Sequence, residues 1–163
     1  MIIVSDTSVL SALLSLEMLS LLPEIYEEVV IPQKVKDELG RLSDFGFDLS
    51  PIDNASWLTI MSPSNKELEE SLFSVLDKGE ASAVALSKEI QPDFLAIDEK
   101  KGRSIAISMG IPVIGLLGIL LIAKKSALIP KIKPLLNDLR EKAGFRIDDN
   151  LDQKVLKEAN ELS

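Results

Sequence analysis

The chain has 163 residues, 46% of them hydrophobic and 4% aromatic, which is the composition of a soluble globular domain with a sizeable core. It contains no histidine and no cysteine, which excludes disulfides, thiolate or imidazole metal sites, and catalytic triads that use histidine. Acid–base or metal chemistry must therefore come from carboxylates, lysine, tyrosine, hydroxyl groups or water. The net charge of −8 argues against nucleic-acid binding only if the acidic side chains are spread evenly.

The charges are not spread evenly along the chain. The amino-terminal half holds most of the acidic side chains, whereas basic side chains outnumber acidic ones between Asp98 and Arg146. A basic region facing an acidic one suits phosphate binding beside a metal-binding cluster, although solvated helix faces produce the same pattern.

The longest apolar run, Ile111–Ala123, is shorter than the about 20 apolar residues that a membrane-spanning helix needs. It also contains Pro112, Gly115 and Gly118, so it predicts a buried strand followed by a helix. The first residues lack the basic segment and the length of a signal peptide. We therefore expect a cytoplasmic protein with no membrane partner, and the absence of cysteine fits a reducing compartment.

Strands and helices are predicted to alternate along the chain. Short apolar runs predict five strands: Ile2–Val4, Val29–Ile31, Trp57–Met61, Phe94–Ile97 and Val113–Ile114. Periodic segments with capping or breaking residues predict helices over Ser8–Leu16, a short stretch to Leu22, Gln33–Leu42, Ser64–Leu76, Glu80–Ile90, Glu99–Met109, a stretch ending at Lys124, Ile132–Ala143 and Asp148–Leu162.

Local signals support several of these boundaries. Pro32 is suited to open a first helical turn, and Ser64 with Glu67 has the spacing of a capping box. Residues 43–56 are rich in turn formers and predict a surface loop. Short strands that are apolar on both faces, without hairpin dipeptides, are typical of a mainly parallel sheet covered by helices. The sequence therefore predicts one α/β domain over residues 1–163, with the carboxy-terminal helices (about 131–162) packed on it.

Two aspartates follow predicted buried strands. Asp6 comes after the first strand and Asp98 after the fourth. In open parallel sheets the working crevice lies beyond the carboxyl ends of the strands, and two carboxylates there repel each other unless a divalent cation offsets the repulsion. The alternative is that each aspartate only caps the following helix, and this is the commoner role for a single aspartate.

Two glutamates are weaker candidates when taken singly. Glu38 lies in the helix after the second strand, four residues after Lys34, and alone it would be an ordinary surface residue. Glu80 opens a helix, where the helix dipole favours a carboxylate. It is followed by small residues that allow a backbone or a substrate to approach closely: Ala81, Ser82, Ala83 and Ala85.

Several short motifs, in this order along the chain, resemble the PIN-domain family and in particular the branch similar to the VapC-type toxins of toxin–antitoxin modules. The motifs run from Met1 to about Leu139 and read IIVSDTSVLSAL, IPQKVKDEL, LDKGEASAVAL, LAIDEKKGRSIA and GIPVIGLLGILLIAKKSALIPKIKPLL. The resemblance implies a five-stranded parallel sheet, Mg²⁺ or Mn²⁺ as cofactor, and hydrolysis of RNA. It also implies a homodimer and, for the toxin branch, a small inhibitory antitoxin protein.

The resemblance also implies which residues form the site. The four acids of the family fall on Asp6, Glu38, Glu80 and Asp98, and the hydroxyl beside the first acid falls on Thr7 or Ser8. Hard cations select oxygen ligands and keep several waters, so these residue types suit the chemistry. We assign the two aspartates as principal ligands and the two glutamates as ligands through water or to a second ion. Ser8 is expected to steady a carboxylate or to contact phosphate.

Three basic residues follow the fourth acid: Lys100, Lys101 and Arg103. They are candidates for contacts with RNA phosphates, and a solvated helix face is an equally good interpretation. Two departures from the family pattern lie nearby. Leu116 stands where similar sequences usually carry a threonine near the acids, and Glu99 stands where they often carry a second aspartate. Glu99 is therefore either an auxiliary ligand or a residue of the first helical turn.

Two other functions compete with the nuclease. In an aspartyl-phosphate enzyme Asp6 would be the nucleophile, but the haloacid-dehalogenase pattern requires a second aspartate where this chain has Ser8. A catalytically inactive PIN-like scaffold that binds RNA or protein is favoured by the acidic net charge and by Leu116, and disfavoured by the intact acids. The apolar stretches Val9–Leu22 and Ile111–Ala123 separately suggest a homodimer, because they exceed what a small core obviously needs.

Overall fold

The computed structural model describes residues 1–142 and 147–162. Five strands form one sheet in the order β3-β2-β1-β4-β5, and every neighbouring pair is parallel. The strands are β1 (Ile2–Ser5), β2 (Glu28–Ile31), β3 (Leu58–Ile60), β4 (Phe94–Ala96) and β5 (Val113–Ile114). The α/β class with a five-stranded parallel sheet is thereby confirmed, and the expected strands are all present.

The described residues form the α-helices α1 (Thr7–Ser15), α2 (Leu21–Ile25), α3 (Gln33–Arg41), α4 (Ser50–Asp53), α5 (Lys66–Leu72), α6 (Lys78–Ile90), α7 (Lys100–Ser108), α8 (Leu116–Lys125), α9 (Lys133–Lys142) and α10 (Asp149–Glu158). A short 3-10 helix spans Leu42–Phe45. The predicted end at Ala143, like Arg146, lies outside the described residues.

Three predictions of local structure were wrong. The short helix expected to end at Leu22 instead spans Leu21–Ile25 and includes Pro23 in its first turn, where a missing backbone N–H is tolerated. Residues 43–56 are not a plain loop, because they contain most of the 3-10 helix and all of α4, whose first turn includes Pro51. The helix expected from Ser64 to Leu76 is shorter and is capped by Asn65, whose side chain accepts a hydrogen bond from the backbone N–H of Leu68 at 3.0 Å. Ser64 instead donates its hydroxyl to Glu89, so no capping box forms.

Two apolar clusters lie on opposite faces of the sheet, because neighbouring residues of a strand point to opposite sides. Ile3 belongs to a cluster with α1, α2, α3, α8, α9 and α10, and Val4 belongs to one with α5, α6 and α7. The apolar stretches Val9–Leu22 and Ile111–Ala123 supply much of the first cluster. Since these stretches are largely used inside the domain, they no longer indicate a dimer interface.

The carboxy-terminal segment is tied to α8 and α9 by polar contacts. Lys124 of α8 donates to the backbone carbonyl of Ala159 and to Glu161, both at 2.9 Å. Glu161 also accepts from the backbone N–H groups of Ile132, at 2.7 Å, and Lys133, at 3.1 Å. These contacts fix the start of α9 and the end of α10 against α8. Over the described residues, the helices are too short or too polar for any of them to span a bilayer.

Candidate active site

Asp6 directly follows β1 and is almost completely buried, with 1% of its surface exposed. It caps α1: its carboxylate accepts from the backbone N–H of Val9 and from the hydroxyl of Ser8, each at 3.0 Å. The capping role considered as the alternative is therefore real. It does not explain the depth of burial, because an N-cap functions equally well at the surface.

The electrostatic surroundings of Asp6 are unfavourable for a charge. Burial raises the pKa of this carboxyl from 3.8 to about 7, the hydrogen bonds from Val9 and Ser8 oppose the shift, and the charges of Asp98 and Asp77 add to it. Among the described residues no lysine or arginine forms an ion pair with Asp6. The carboxylate of Asp6 is therefore buried near other carboxylates, and the part of the chain that the structure describes supplies no compensating cation.

Asp98 lies two residues beyond β4, at the same edge of the sheet. It accepts from the backbone N–H of Leu116, the first residue of α8, at 3.2 and 3.3 Å to its two oxygens. Burial raises the pKa of Asp98, whereas the N–H of Leu116 and the charge of Arg103 lower it. The leucine that departs from the family pattern thus contacts the acid through its main chain, while its side chain is buried in the core.

Glu38 of α3 is joined to the same edge by two contacts. Thr7, the residue after Asp6, donates its hydroxyl to Glu38. The backbone N–H of Gly79, in the first turn of α6, donates to the other oxygen of Glu38 at 2.9 Å. Glu38 is therefore held between the starts of α1 and α6 and is not an ordinary surface residue.

Glu80 of α6 lies beside a further acid, Asp77, which is not among the site residues predicted from the sequence. Asp77 caps α6 and accepts from the backbone N–H of Glu80 at 2.8 Å. Burial raises the pKa of Glu80, and Asp77, Glu99 and Asp6 raise it further. Its Oε2 atom is buried and has no hydrogen-bond partner among the described residues. The spacing of an aspartate three residues before a first-turn glutamate was the signal that could have revealed Asp77.

Glycines allow close approach to three of these carboxylates. A Cβ atom on Gly115 would lie 2.5 Å from Oδ1 of Asp98, and one on Gly79 would overlap the carboxylate of Glu38. A Cβ atom on Gly102 would lie 3.1 Å from Oε2 of Glu80. A larger residue at Gly115 or Gly79 would therefore displace the adjacent carboxylate, whereas one at Gly102 would first displace the side chain of Ile97, whose Cδ1 atom would lie 2.6 Å away.

The residues after Asp98 occupy different positions. Glu99 caps α7 by accepting from the backbone N–H of Gly102 at 2.7 Å, and its charge also reaches Glu80. Lys100 and Lys101 are exposed at the start of α7. Arg103 is half-buried and donates to the backbone carbonyl of Ile97 at 2.9 Å. Lys100 and Lys101 therefore have their charges in solvent. Arg103 is hydrogen-bonded to the backbone just after β4, next to Asp98.

The arrangement fits a hard divalent cation that keeps part of its water shell. Every candidate ligand is a carboxylate oxygen, and the starts of α1, α6, α7 and α8 direct N–H groups towards the acids, which steadies negative charge. Within residues 1–142 and 147–162, no three acidic side chains are arranged to hold an ion directly. Mg²⁺ commonly binds through one or two carboxylates with waters between it and the others. The buried Oε2 atom of Glu80 accepts no hydrogen bond from the described residues and is then available to such an ion or its waters.

A comparison with known proteins bears on this site. A family model described as a PIN domain matches residues 2–161, nearly the whole chain. No curated protein matches it. PIN domains are generally nucleases that act on nucleic acid and typically use divalent metals. The matched segment contains all five strands and each acid described above, and the chain therefore belongs to the PIN-domain family.

Proposed function

We propose that this protein is an Mg²⁺- or Mn²⁺-dependent endoribonuclease that hydrolyses RNA phosphodiesters at the edge of the sheet that carries Asp6, Glu38, Glu80 and Asp98. We call this edge the acidic edge. The observation that carries the proposal is Asp6, a carboxylate with 1% exposure that is surrounded by other acids and has no cationic partner among the described residues. A divalent cation would remove that repulsion. The position of Asp98 and the unbonded oxygen of Glu80 at the same edge support it.

The four acids of the edge have different roles in the proposed reaction. Asp6 and Asp98 would hold the cation, with Glu38 and Glu80 as ligands through water or to a second ion. When bound, the ion lowers the pKa of an attacking water and stabilises the charge on the leaving oxygen.

The surrounding groups keep the carboxylates in place. Ser8 and the N–H of Val9 orient Asp6, and Thr7 with the N–H of Gly79 orients Glu38. Both hydroxyls expected beside the first acid thus bind carboxylates. Donors fixed in this way need no rearrangement when the metal arrives.

RNA would approach over the exposed start of α7. Lys100 and Lys101 have their ammonium groups in solvent and are suited to contact phosphates. Arg103 already bonds to Ile97 and lowers the pKa of Asp98, so we assign it mainly to positioning that acid. Glu99 caps α7, and any further role as an auxiliary ligand depends on its closeness to Glu80.

A role as the toxin of a toxin–antitoxin module, with a homodimer and a small antitoxin, follows from the motif resemblance alone. The apolar stretches that separately suggested a dimer lie mostly in the core. Light scattering at micromolar concentration tests the dimer: a mass of twice 17.8 kDa supports it and a monomer contradicts it. The alternative to a nuclease is a catalytically inactive scaffold, which is favoured by the net charge of −8.

The test of the proposed activity is cleavage of single-stranded and structured RNA by purified protein in Mg²⁺ or Mn²⁺. Asp6→Asn keeps the shape and the cap but removes the charge, so cleavage should fall by about a hundredfold or more. EDTA should abolish cleavage. Activity that survives both controls belongs to a contaminant or another site. Absence of cleavage under every metal would favour the scaffold.

A further inference from the structure

A groove of about 580 Å³ begins at Asp98 and runs between β5 and α8 on one side and α10 on the other. This volume is in the range of ordinary small-ligand sites. Asp98 and the adjacent Gly115 belong to both the acidic edge and the groove. An RNA strand with a phosphate at the acids could therefore place its next nucleotide in the groove. The groove therefore continues the proposed active site and is not a separate cavity.

One face of α10 forms the outer wall of this groove. Leu151, Lys154, Val155 and Glu158 line it, at the spacing of three and four residues that places side chains on one side of a helix. Leu151 is 42% exposed, whereas Val155 on the same face is 4% exposed. The outer end of the wall thus leaves an aliphatic side chain uncovered. Leu117 and Leu121 of α8 supply the apolar surface opposite.

The charges in the groove discriminate between possible occupants. Arg103 and Lys154 provide cations, and Lys154 makes no ion pair among the described residues. Asp98 and Glu158 provide anions, which makes the groove a poor site for a bare phosphate. A nucleobase suits this combination: its faces are apolar, its exocyclic amino group donates to a carboxylate as cytosine does to glutamate, and its flanking phosphate can reach a lysine.

We propose that this groove is a nucleotide subsite that holds the base next to the phosphate being cut, with Glu158 accepting from the amino group of that base. The proposal rests on the proposed ribonuclease function and deepens it. It makes α10 part of the RNA-binding surface and predicts a preference for bases with an amino group over uracil.

The test is binding of fluorescein-labelled single-stranded RNA to the full chain, measured by anisotropy in an Asp6→Asn background and in EDTA, so that the RNA is not cut. Leu151→Asp and Lys154→Ala should each weaken binding by about fivefold or more. The matched controls are Leu128→Asp, at a residue of similar exposure away from the groove, and Lys157→Ala, on α10 outside the groove lining. Both controls should change the Kd by less than about twofold.

A second readout distinguishes a base from a phosphate. Oligocytidine should bind more tightly than oligouridine, and Glu158→Gln should reduce that difference. If Glu158→Gln strengthens binding of both by the same factor, the groove holds phosphate and the proposal is wrong. RNA binding that is unaffected by Leu151→Asp and Lys154→Ala would overturn the subsite but leave the nuclease intact. If neither the protein nor any of its variants binds RNA, both the subsite and the proposed ribonuclease function are wrong.

Discussion

Asp6 and Glu69 are both carboxylates buried to within 2% of full coverage, but they differ in what surrounds them. Glu69 of α5 lies 3.3 Å from the ammonium group of Lys34 on α3 and 3.8 Å from that of Lys66. Lys34 in turn lies 5.5 Å from the ring centre of Phe73. Asp6 receives hydrogen bonds from neutral groups, and the charges that raise its pKa are those of two other carboxylates, Asp98 and Asp77.

The two regions differ in whether a cationic side chain lies beside the buried carboxylate. A charge removed from water is stable only when a partner compensates it. The chain itself provides the partner at Glu69, so that region is complete without any ligand. The described residues provide none at Asp6, so under the proposed function the acidic edge takes up a cation from solution. Local rules of stability are often relaxed at functional sites in this way.

After the loss expected for Asp6→Asn, the largest effect on cleavage is expected from filling the space beside an acid. In Gly115→Ala the new Cβ atom would lie 2.5 Å from Oδ1 of Asp98, which must move. The carboxylate is a flexible group, so the fold should persist while cleavage falls by about thirtyfold or more. Gly40→Ala is the matched control, because a Cβ atom there meets nothing within 4 Å. Full activity in Gly115→Ala would contradict a role for Asp98 in the site.

Neutralising each buried carboxylate should change stability in opposite directions. Glu69→Gln leaves Lys34 without its partner, and because that lysine is 36% exposed we expect a loss of only about 1–3 kcal/mol. Asp6→Asn keeps an N-cap of equal quality and removes repulsion, so the metal-free variant should be more stable than the original protein near neutral pH. Urea unfolding in EDTA measures both. Equal losses of unfolding free energy in Glu69→Gln and Asp6→Asn would show that the two buried carboxylates do not differ in this way.

The stability of the metal-free protein should depend on pH because of the buried acids at the acidic edge. The pKa of Asp6 is about 7 in the folded protein and 3.8 ordinarily, so the folded state holds the proton more tightly. Metal-free stability should therefore fall as pH rises between about 4 and about 7, and the raised pKa of Glu80 should extend the fall upwards. Melting temperatures in EDTA across this range test it. Mn²⁺ should reverse the fall, and Asp6→Asn should flatten it. A melting temperature that rises with pH would contradict the assignment.

The sequence predicted the sheet and the positions of the acids at its edge well, because short apolar runs and residues that follow strands have local signals. It did not predict Asp77 as a neighbour of Glu80, since a capping aspartate at the start of a helix has a sufficient local explanation. The pairing of Lys34 with Glu69 joins residues 35 positions apart, and no local pattern encodes it. The groove wall on α10 depends on the docking of a carboxy-terminal helix against α8, which periodicity alone does not specify.

The most direct test of the central claim, that the acidic edge binds a divalent cation, is calorimetric titration of Mn²⁺ into the metal-free protein. Mn²⁺ should bind the original protein, and its affinity should fall by about tenfold or more in Asp6→Asn and in Asp98→Asn. Asp53→Asn, which removes an exposed carboxylate paired with Lys36, should bind Mn²⁺ as the original protein does. Circular dichroism should establish that each variant is folded. Unchanged Mn²⁺ affinity in folded Asp6→Asn and Asp98→Asn would show that these aspartates do not hold the cation.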